Sequence, residues 1–265
     1  MAINSQDKQA EVSILIPHYK TPELVRRCLG LLQKYTPPGI ADIIVIDNDS
    51  QDESLDYLRN LTYIKLIERK AIPGESLQSH PRALDLGLSQ VQTPYVLSIH
   101  TDTLVKHPLW LPYLLDKIKS NPNIAGVGSW KLENRPWHKK ILKKLERKIQ
   151  LIYYDLINKK NHAIEGTGKN YYYLRSHCAL YRTDLLKKYH LTFDDNNEVA
   201  GKIMHKKLVD HGHDMVFLES AELGQYLDHI NHATMVLHPE LGTGLKQKAV
   251  KSGMRRIQQY FKFNP

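Results

Sequence analysis

Three short polar clusters, each ending an apolar run, hold side chains suited to chemistry: Pro17-His18-Tyr19, Asp47-Asn48-Asp49 and His100-Thr101-Asp102. The third is the most specific, because an imidazole and a carboxylate leave a buried run one residue apart and both can ligate a metal. Asp102 supplies a hard oxygen suited to Mg2+ or Mn2+, and such an ion neutralises a departing diphosphate. A fourth cluster, Phe193-Asp194-Asp195-Asn196-Asn197-Glu198, gathers carboxylates just ahead of a helical stretch. A carboxylate there can take a proton from a hydroxyl, or it can merely cap the helix. Asp49 and Ser50 carry the same ambiguity, since strand-to-helix junctions use Asp, Asn and Ser as caps and turns.

The elements that must position these clusters alternate. Val12–Ile16 and Ile43–Ile46 are continuous apolar runs, the pattern of strands buried on both faces. Tyr63–Ile67, Tyr95–Ile99 and Ile124–Val127 extend the series. Helices are expected between them: one capped by Thr21 with Pro22 in its first turn, one opened by a Ser50/Glu53 capping box, then Pro81–Gln90 and Pro108–Lys119. Repeated βα units predict an α/β fold with a doubly wound, mostly parallel sheet that binds ligands at the carboxyl ends of its strands. The first three clusters lie at such ends. The second half is less regular. It predicts a long basic helix over Trp137–Asn158, a loop at Gly166–Asn170, strand-like aromatics over Tyr171–Tyr181 and a helix at Thr183–Lys188. A helix over Val199–His211 closed by Gly212, a short strand at Met215–Leu218 and a histidine-bearing stretch from Leu227 to His238 follow.

From Glu11 to about Trp130 the chain resembles the family 2 glycosyltransferases of the GT-A fold. The likeness rests on SILIPHYKTPELVRRCL, IIVIDNDSQDES and GESLQSHPRALDLGLSQVQTPYVLSIHTDT. These match in order the family's I-P-x-Y-N, its V-D-[DN]-x-S-x-D and its strand-borne Asp-x-Asp, a set more specific than any one piece. The resemblance implies a metal-dependent, inverting transfer of a sugar from a nucleotide-sugar donor to a glycan or lipid-linked acceptor, in surface polysaccharide synthesis. It implies that Asp47 contacts the nucleotide base and that Pro17, His18 and Tyr19 line the nucleotide pocket, with Asp49 and Thr101 beside the donor. Asp102 matches the second carboxylate of the metal motif, and His229 or His232 completes the shell around Mn2+ or Mg2+. His100 departs from the pattern. It stands where the motif's first Asp usually stands, as a ligand or a donor contact. Lys20 replaces the usual Asn, and Asp49 a common Gly. The Glu-Asp pair that carries the family's base is not reproduced in register, and Asp195 and Glu198 are the candidates for that role. A single GT-A domain over 1–265 is expected, with a nucleotide-sugar-binding half at 11–130, a basic helical insertion at 131–169, an acceptor-side catalytic half at 170–240 and a basic tail at 241–265.

Composition narrows the partners. A chain of 265 residues with 42% hydrophobic and 25% charged residues can bury a core of its own. No apolar run approaches the roughly 20 residues of a membrane span. Met1–Ala10 has no apolar leader, and Cys28 and Cys178 read as buried free thiols of a reducing compartment. These features predict a cytoplasmic protein, with peripheral contact at the inner face of the membrane. The net charge is +9, unevenly placed. His138–Lys160 carries eight Lys/Arg against two acids, Leu245–Pro265 six against none, and the remainder is left at −3. Each basic segment fits a core-facing helix with a solvated basic face, or a helix resting on anionic lipid. Nucleic acid is not an expected partner, because no base-stacking module accompanies the lysines. Two rival functions remain: a sugar-nucleotide-binding protein with little transferase activity, and a nucleotidyltransferase. The second needs a Gly-rich, basic phosphate loop after the first strand, which Pro17-His18-Tyr19-Lys20 is not.

Overall fold

The computed structural model describes residues 9–75, 79–132, 137–158, 166, 168, 171–230, 233–238 and 247–263. His232, and most of the expected loop at 166–170, lie outside them. Strands β1 (Val12–His18), β2 (Ala41–Asp47), β3 (Ile64–Glu68), β4 (Tyr95–Ile99), β6 (Ile124–Gly128), β7 (Cys178–Arg182) and β8 (Asp214–Phe217) form one sheet in the order β3-β2-β1-β4-β7-β6-β8. All neighbours are parallel except that β7 runs against both β4 and β6. A separate ribbon pairs β5 (Thr103–Val105) with β9 (Leu227–His229).

The continuous apolar runs are explained by burial on both faces. Ile14, Ile16, Val45, Leu97 and Ile99 point to one layer, against α1 (Pro22–Tyr35) and α4 (Trp110–Lys119). Leu15, Ile44, Ile46 and Val96 point to the other, against α3 (Ser79–Leu88), α6 (Thr183–Lys188) and α7 (Lys202–Asp210). Each such fully buried Ile or Leu contributes about 1.5–3 kcal/mol. The remaining helices are α2 (Glu53–Arg59), α5 (Trp137–Leu156), α8 (Ser220–Leu223), α9 (Ala233–Leu237) and α10 (Gln247–Phe263). Cys28 and Cys178 are buried free thiols, and burial pushes both up to about 12, so neither is a nucleophile.

Several local expectations change. The cap of α2 is Asp52, whose carboxylate accepts the Ser54 amide, and not Ser50. Ser50 is already committed: its amide donates to Asp47 and its hydroxyl accepts from the Lys20 amide. Asp49 and Gln51 also have positive φ, so the chain is still turning there and the helix starts later. Strand structure in Tyr171–Tyr181 is confined to its last residues, Cys178 onward. Helix α7 starts at Lys202 because Gly201 sits at φ +74, and neither Asp194 nor Asp195 caps it. The two basic helices part company. In α10, Ile257 is buried and Met254, Tyr260 and Phe261 pack on the core, as a core-facing helix should. In α5 the apolar side is left exposed.

Candidate functional site

The carboxyl end of β4 leads through His100 and Thr101 to Asp102, and β5 follows at once. The register of the ribbon sets Thr103 opposite His229. This brings His229 Nε2 to 3.3 Å from Asp102 Oδ1, while His100 Nδ1 lies 3.8 Å from the same oxygen. One ligand atom from each of the three residues falls within 4.8 Å of the others. The other Asp102 oxygen accepts the Ala233 amide at 3.0 Å, and its carbonyl accepts that of Ile230. Oδ1, in contrast, is buried without a well-formed hydrogen bond. Burial alone would raise this carboxyl, but His229 and then His100 hold it well below the usual carboxylate range. Thr101 is buried between the two ligand candidates.

Residues that the sequence reading passed over support this cluster. His100 and His80 each share a hydrogen bond with Ser176 Oγ through Nε2, at 3.0 and 3.2 Å. That leaves His100 Nδ1 turned to Asp102, the outer-shell orientation that metal-binding imidazoles use. His177 stacks on His229 and shares a hydrogen bond with Ser129 at 2.9 Å. Burial lowers His80 to about 4 and His177 to about 3, and lowers His100 well below its ordinary value, so the rings are neutral. The available signals were His80, inside the stretch GESLQSHPRAL, and His177, beside the predicted strand.

The donor-side expectations gather at the ends of β1 and β2. His18 is buried and bonded on both sides, to Ser54 at 2.7 Å and Thr21 at 3.5 Å. Burial lowers it to about 4 against the pull of Asp47 and Asp52, so it props the loop as a neutral ring. Asp47 Oδ2 accepts the Ser50 amide, and Oδ1 is buried with no hydrogen bond. Pro17 and Tyr19 are half-buried, and Tyr19 meets His238 edge to face at 6.3 Å. Asp49 is taken up locally, by Gln51 Nε2 at 2.9 Å and the Ala71 amide at 3.4 Å. The Gln51 hydrogen bond is the main reason its pKa is lowered.

The acidic loop is wired to the same edge through charges the sequence did not advertise. Asn48 accepts from Arg69 at 2.7 Å, and Arg69 pairs with the buried Glu75. Glu75 also meets Arg82 at 3.3 Å, and Arg82 meets Asp194 at 3.0 Å. Asp85 fixes the loop from α3 by accepting the Phe193 and Asp194 amides at 2.6 and 2.9 Å. The two base candidates are paired elsewhere, Asp195 with Lys207 and Glu198 with Lys202 at 3.0 Å. Among the described residues, no hydrogen bond or ion pair joins either one to the His100–Asp102–His229 cluster.

Comparisons with known proteins bear on the fold and the family. No curated protein matches the chain. Among solved structures, a mannosyltransferase from Pyrobaculum calidifontis in complex with GDP-Man and Mn2+ aligns over 95% of this chain and 70% of its own, at 14% identity and TM-score 0.58. S. aureus TarS, residues 1–349, aligns over 96% of this chain and 72% of its own, at 15% identity and TM-score 0.55. These likenesses establish the GT-A fold. The family model for glycosyl transferase family 2 matches residues 13–190, about two thirds of the chain. That span takes in both strand-end clusters, the His–Asp cluster up to Asp102 and the supporting His177, and it makes the chain a member of glycosyl transferase family 2, a glycosyltransferase.

Proposed function

We propose that this glycosyltransferase performs a metal-dependent, inverting transfer of a hexosyl or related sugar to a glycan or lipid-linked acceptor, in the assembly of a surface polysaccharide. The observation that carries the metal dependence is Asp102 Oδ1, a buried carboxylate oxygen without a well-formed hydrogen bond, with imidazole nitrogens of His229 and His100 at 3.3 and 3.8 Å. A buried, unsatisfied carboxylate is costly unless something cationic meets it. Two nitrogens and one oxygen suit a transition ion such as Mn2+ better than Mg2+, and His100, Asp102 and His229 are the residues that would hold it. When bound, the ion supplies positive charge that stabilises the departing nucleotide diphosphate. The complex of the Pyrobaculum enzyme with GDP-Man and Mn2+ supports the same pairing of donor and ion here.

The chain's own groups do the rest. Asp47 Oδ1, also buried without a hydrogen bond and 4.0 Å from His18 Nε2, is the acceptor this reading assigns to an N–H of the donor's base. Inversion in one displacement needs one carboxylate to deprotonate the acceptor hydroxyl, and Asp195 and Glu198 keep that role in this reading. Either must first let go of its lysine.

The test is a thermal-shift screen of nucleoside-diphosphate sugars with and without Mn2+, followed by turnover with candidate acceptors. One donor class should raise the Tm only when Mn2+ is present. Asp102→Asn keeps an acceptor for the Ala233 amide, so it should abolish the Mn2+-dependent part and leave the fold intact. Absence of stabilisation by every nucleotide sugar, with and without metal, would sink the proposal, and turnover separates transfer from binding alone.

A further inference from the structure

Leu142, Leu145, Ile149, Ile152 and Leu156 recur every three or four residues along α5 and so form one stripe. Each is between 54% and 78% exposed. A helix that packs on its own domain buries such a stripe, as α10 buries Ile257. Among the described residues, α5 meets the body from its other side. Arg147, about half a turn around from the stripe, hydrogen-bonds Tyr172 and lies over its ring at 5.2 Å. Tyr154, on the same side as Arg147, is half-buried. The helix therefore touches the body through Arg147, and the apolar stripe faces out.

We propose that this outward face of α5 seats the protein on an anionic lipid bilayer. Charge selects the occupant. Lys139, Lys140, Lys143, Lys144, Arg147 and Lys148 belong to α5, against only Glu146 and Asp155. By helical geometry Lys148 borders the stripe and is exposed, where a long lysine stem can lie along apolar surface and carry its ammonium group outward. A second copy of the chain would set one cationic helix against another within a Debye length of about 10 Å. An anionic bilayer suits both faces at once: the Leu and Ile side chains enter the acyl boundary and the lysines meet lipid phosphates. Tyr153, also exposed beside the stripe, is an aromatic suited to the headgroup level. Among the described residues no helix is long and apolar enough to cross a membrane, so the contact runs along the surface.

The same helix reaches the site. Tyr172 packs on Trp130 at 5.2 Å, two residues beyond β6 and next to Ser129, the partner of His177. An enzyme held this way presents that edge of the site to the lipid, which favours a lipid-linked acceptor. This last step rests on the transferase reading, and the lipid contact itself does not.

Co-sedimentation with phosphatidylcholine vesicles, with and without phosphatidylglycerol, tests the contact on the full chain. The protein should pellet with the anionic vesicles and release as the Debye length shrinks from about 10 Å at 0.1 M salt to about 3 Å at 1 M. Leu145→Glu/Ile152→Glu alters only exposed positions, so it should keep its Tm and its donor-induced thermal shift while losing roughly tenfold or more of the vesicle binding. Lys251→Glu/Arg255→Glu on α10 should keep that binding. Equal, negligible pelleting with both vesicle types overturns the proposal, and so does undiminished binding by the α5 variant. A wild-type dimer that the α5 variant converts to monomer, with no vesicle binding in either, assigns the face to a second copy instead.

Discussion

The His177 ring lies flat on the His229 ring, with centroids 4.7 Å apart and planes within 16° of parallel. His229 is the ligand candidate and His177 is the surface that fixes its plane, itself tied to Ser129. His177→Ala should therefore lower Mn2+ affinity about 10–100-fold, the usual effect of losing an outer-shell partner. His177→Phe keeps a stacking ring and should recover most of that loss. Calorimetric Mn2+ titration reads both, and an unaltered affinity in the alanine variant removes His177 from the site.

The ligand set also predicts an ion preference. Two ring nitrogens beside one carboxylate favour Mn2+ or Co2+ over Mg2+, which prefers oxygen and retains its waters. At equal concentration Mg2+ should raise the Tm less than Mn2+ does. His100→Asp exchanges a nitrogen for an oxygen and should narrow the gap. A gap of unchanged size in that variant would show that His100 does not set the preference.

Asp195→Asn and Glu198→Gln separate the two base candidates. The true base should lose about 10²–10⁴ in kcat while the donor Kd stays put. The other should lose little more than its surface ion pair, worth under about 1 kcal/mol of stability. Steady-state kinetics with donor binding in parallel decides between them. A drop of less than tenfold in both variants places the base outside the acidic loop.

Arg69 neutralises Glu75, which is buried and also accepts the Ile72 amide at 3.1 Å. Arg69→Met leaves that carboxylate to the half-exposed Arg82 alone, and should cost about 3 kcal/mol of stability. Adding Glu75→Gln should restore part of it. Urea unfolding measures both, and a loss below about 0.5 kcal/mol would mean that Arg82 suffices.

His205 gives a pH signature far from the ligands. It accepts the Leu174 amide at 3.4 Å, and burial lowers it from its ordinary 6.5 to about 4. Between those two values the unfolded chain binds the extra proton, so stability is full above 6.5 and is lost as pH falls toward 4. His205→Leu should flatten the slope of unfolding free energy against pH by about one proton in that window. The same slope in wild type and variant would contradict this assignment.

The sheet was readable because its strands are buried on both faces, which forces the runs at Val12–Ile16 and Ile43–Ile46. The positions of Asp47 and Asp102 were readable as candidates because such runs end at the sheet edge where open α/β folds bind ligands. The reversed strand β7 was not, since an antiparallel strand in a buried slot has the same apolar composition as a parallel one. The ribbon of β5 and β9 joins two stretches of three residues, too short to show a period. The charge relay from Asn48 to Asp194 was invisible for a different reason: Arg69, Glu75 and Arg82 look like ordinary surface charges until the fold buries Glu75 among them. The apolar period of α5 stands in the sequence, but period alone says which residues share a face and not which way that face turns.

The Asp102–Ala233 hydrogen bond spans 131 positions of chain, and the ribbon of β5 and β9 lies just inside that interval. Contacts of such separation form late, because the loop between them must be closed before anything is gained. Chains emerge from synthesis N-terminus first, so β1 and β2 can pair, with Asp47 at their edge, while His229 is still unmade. The proposed ion-holding cluster is thus completed after the Asp47 edge, and a stalled or clipped chain that stops short of His229 lacks one of its three residues.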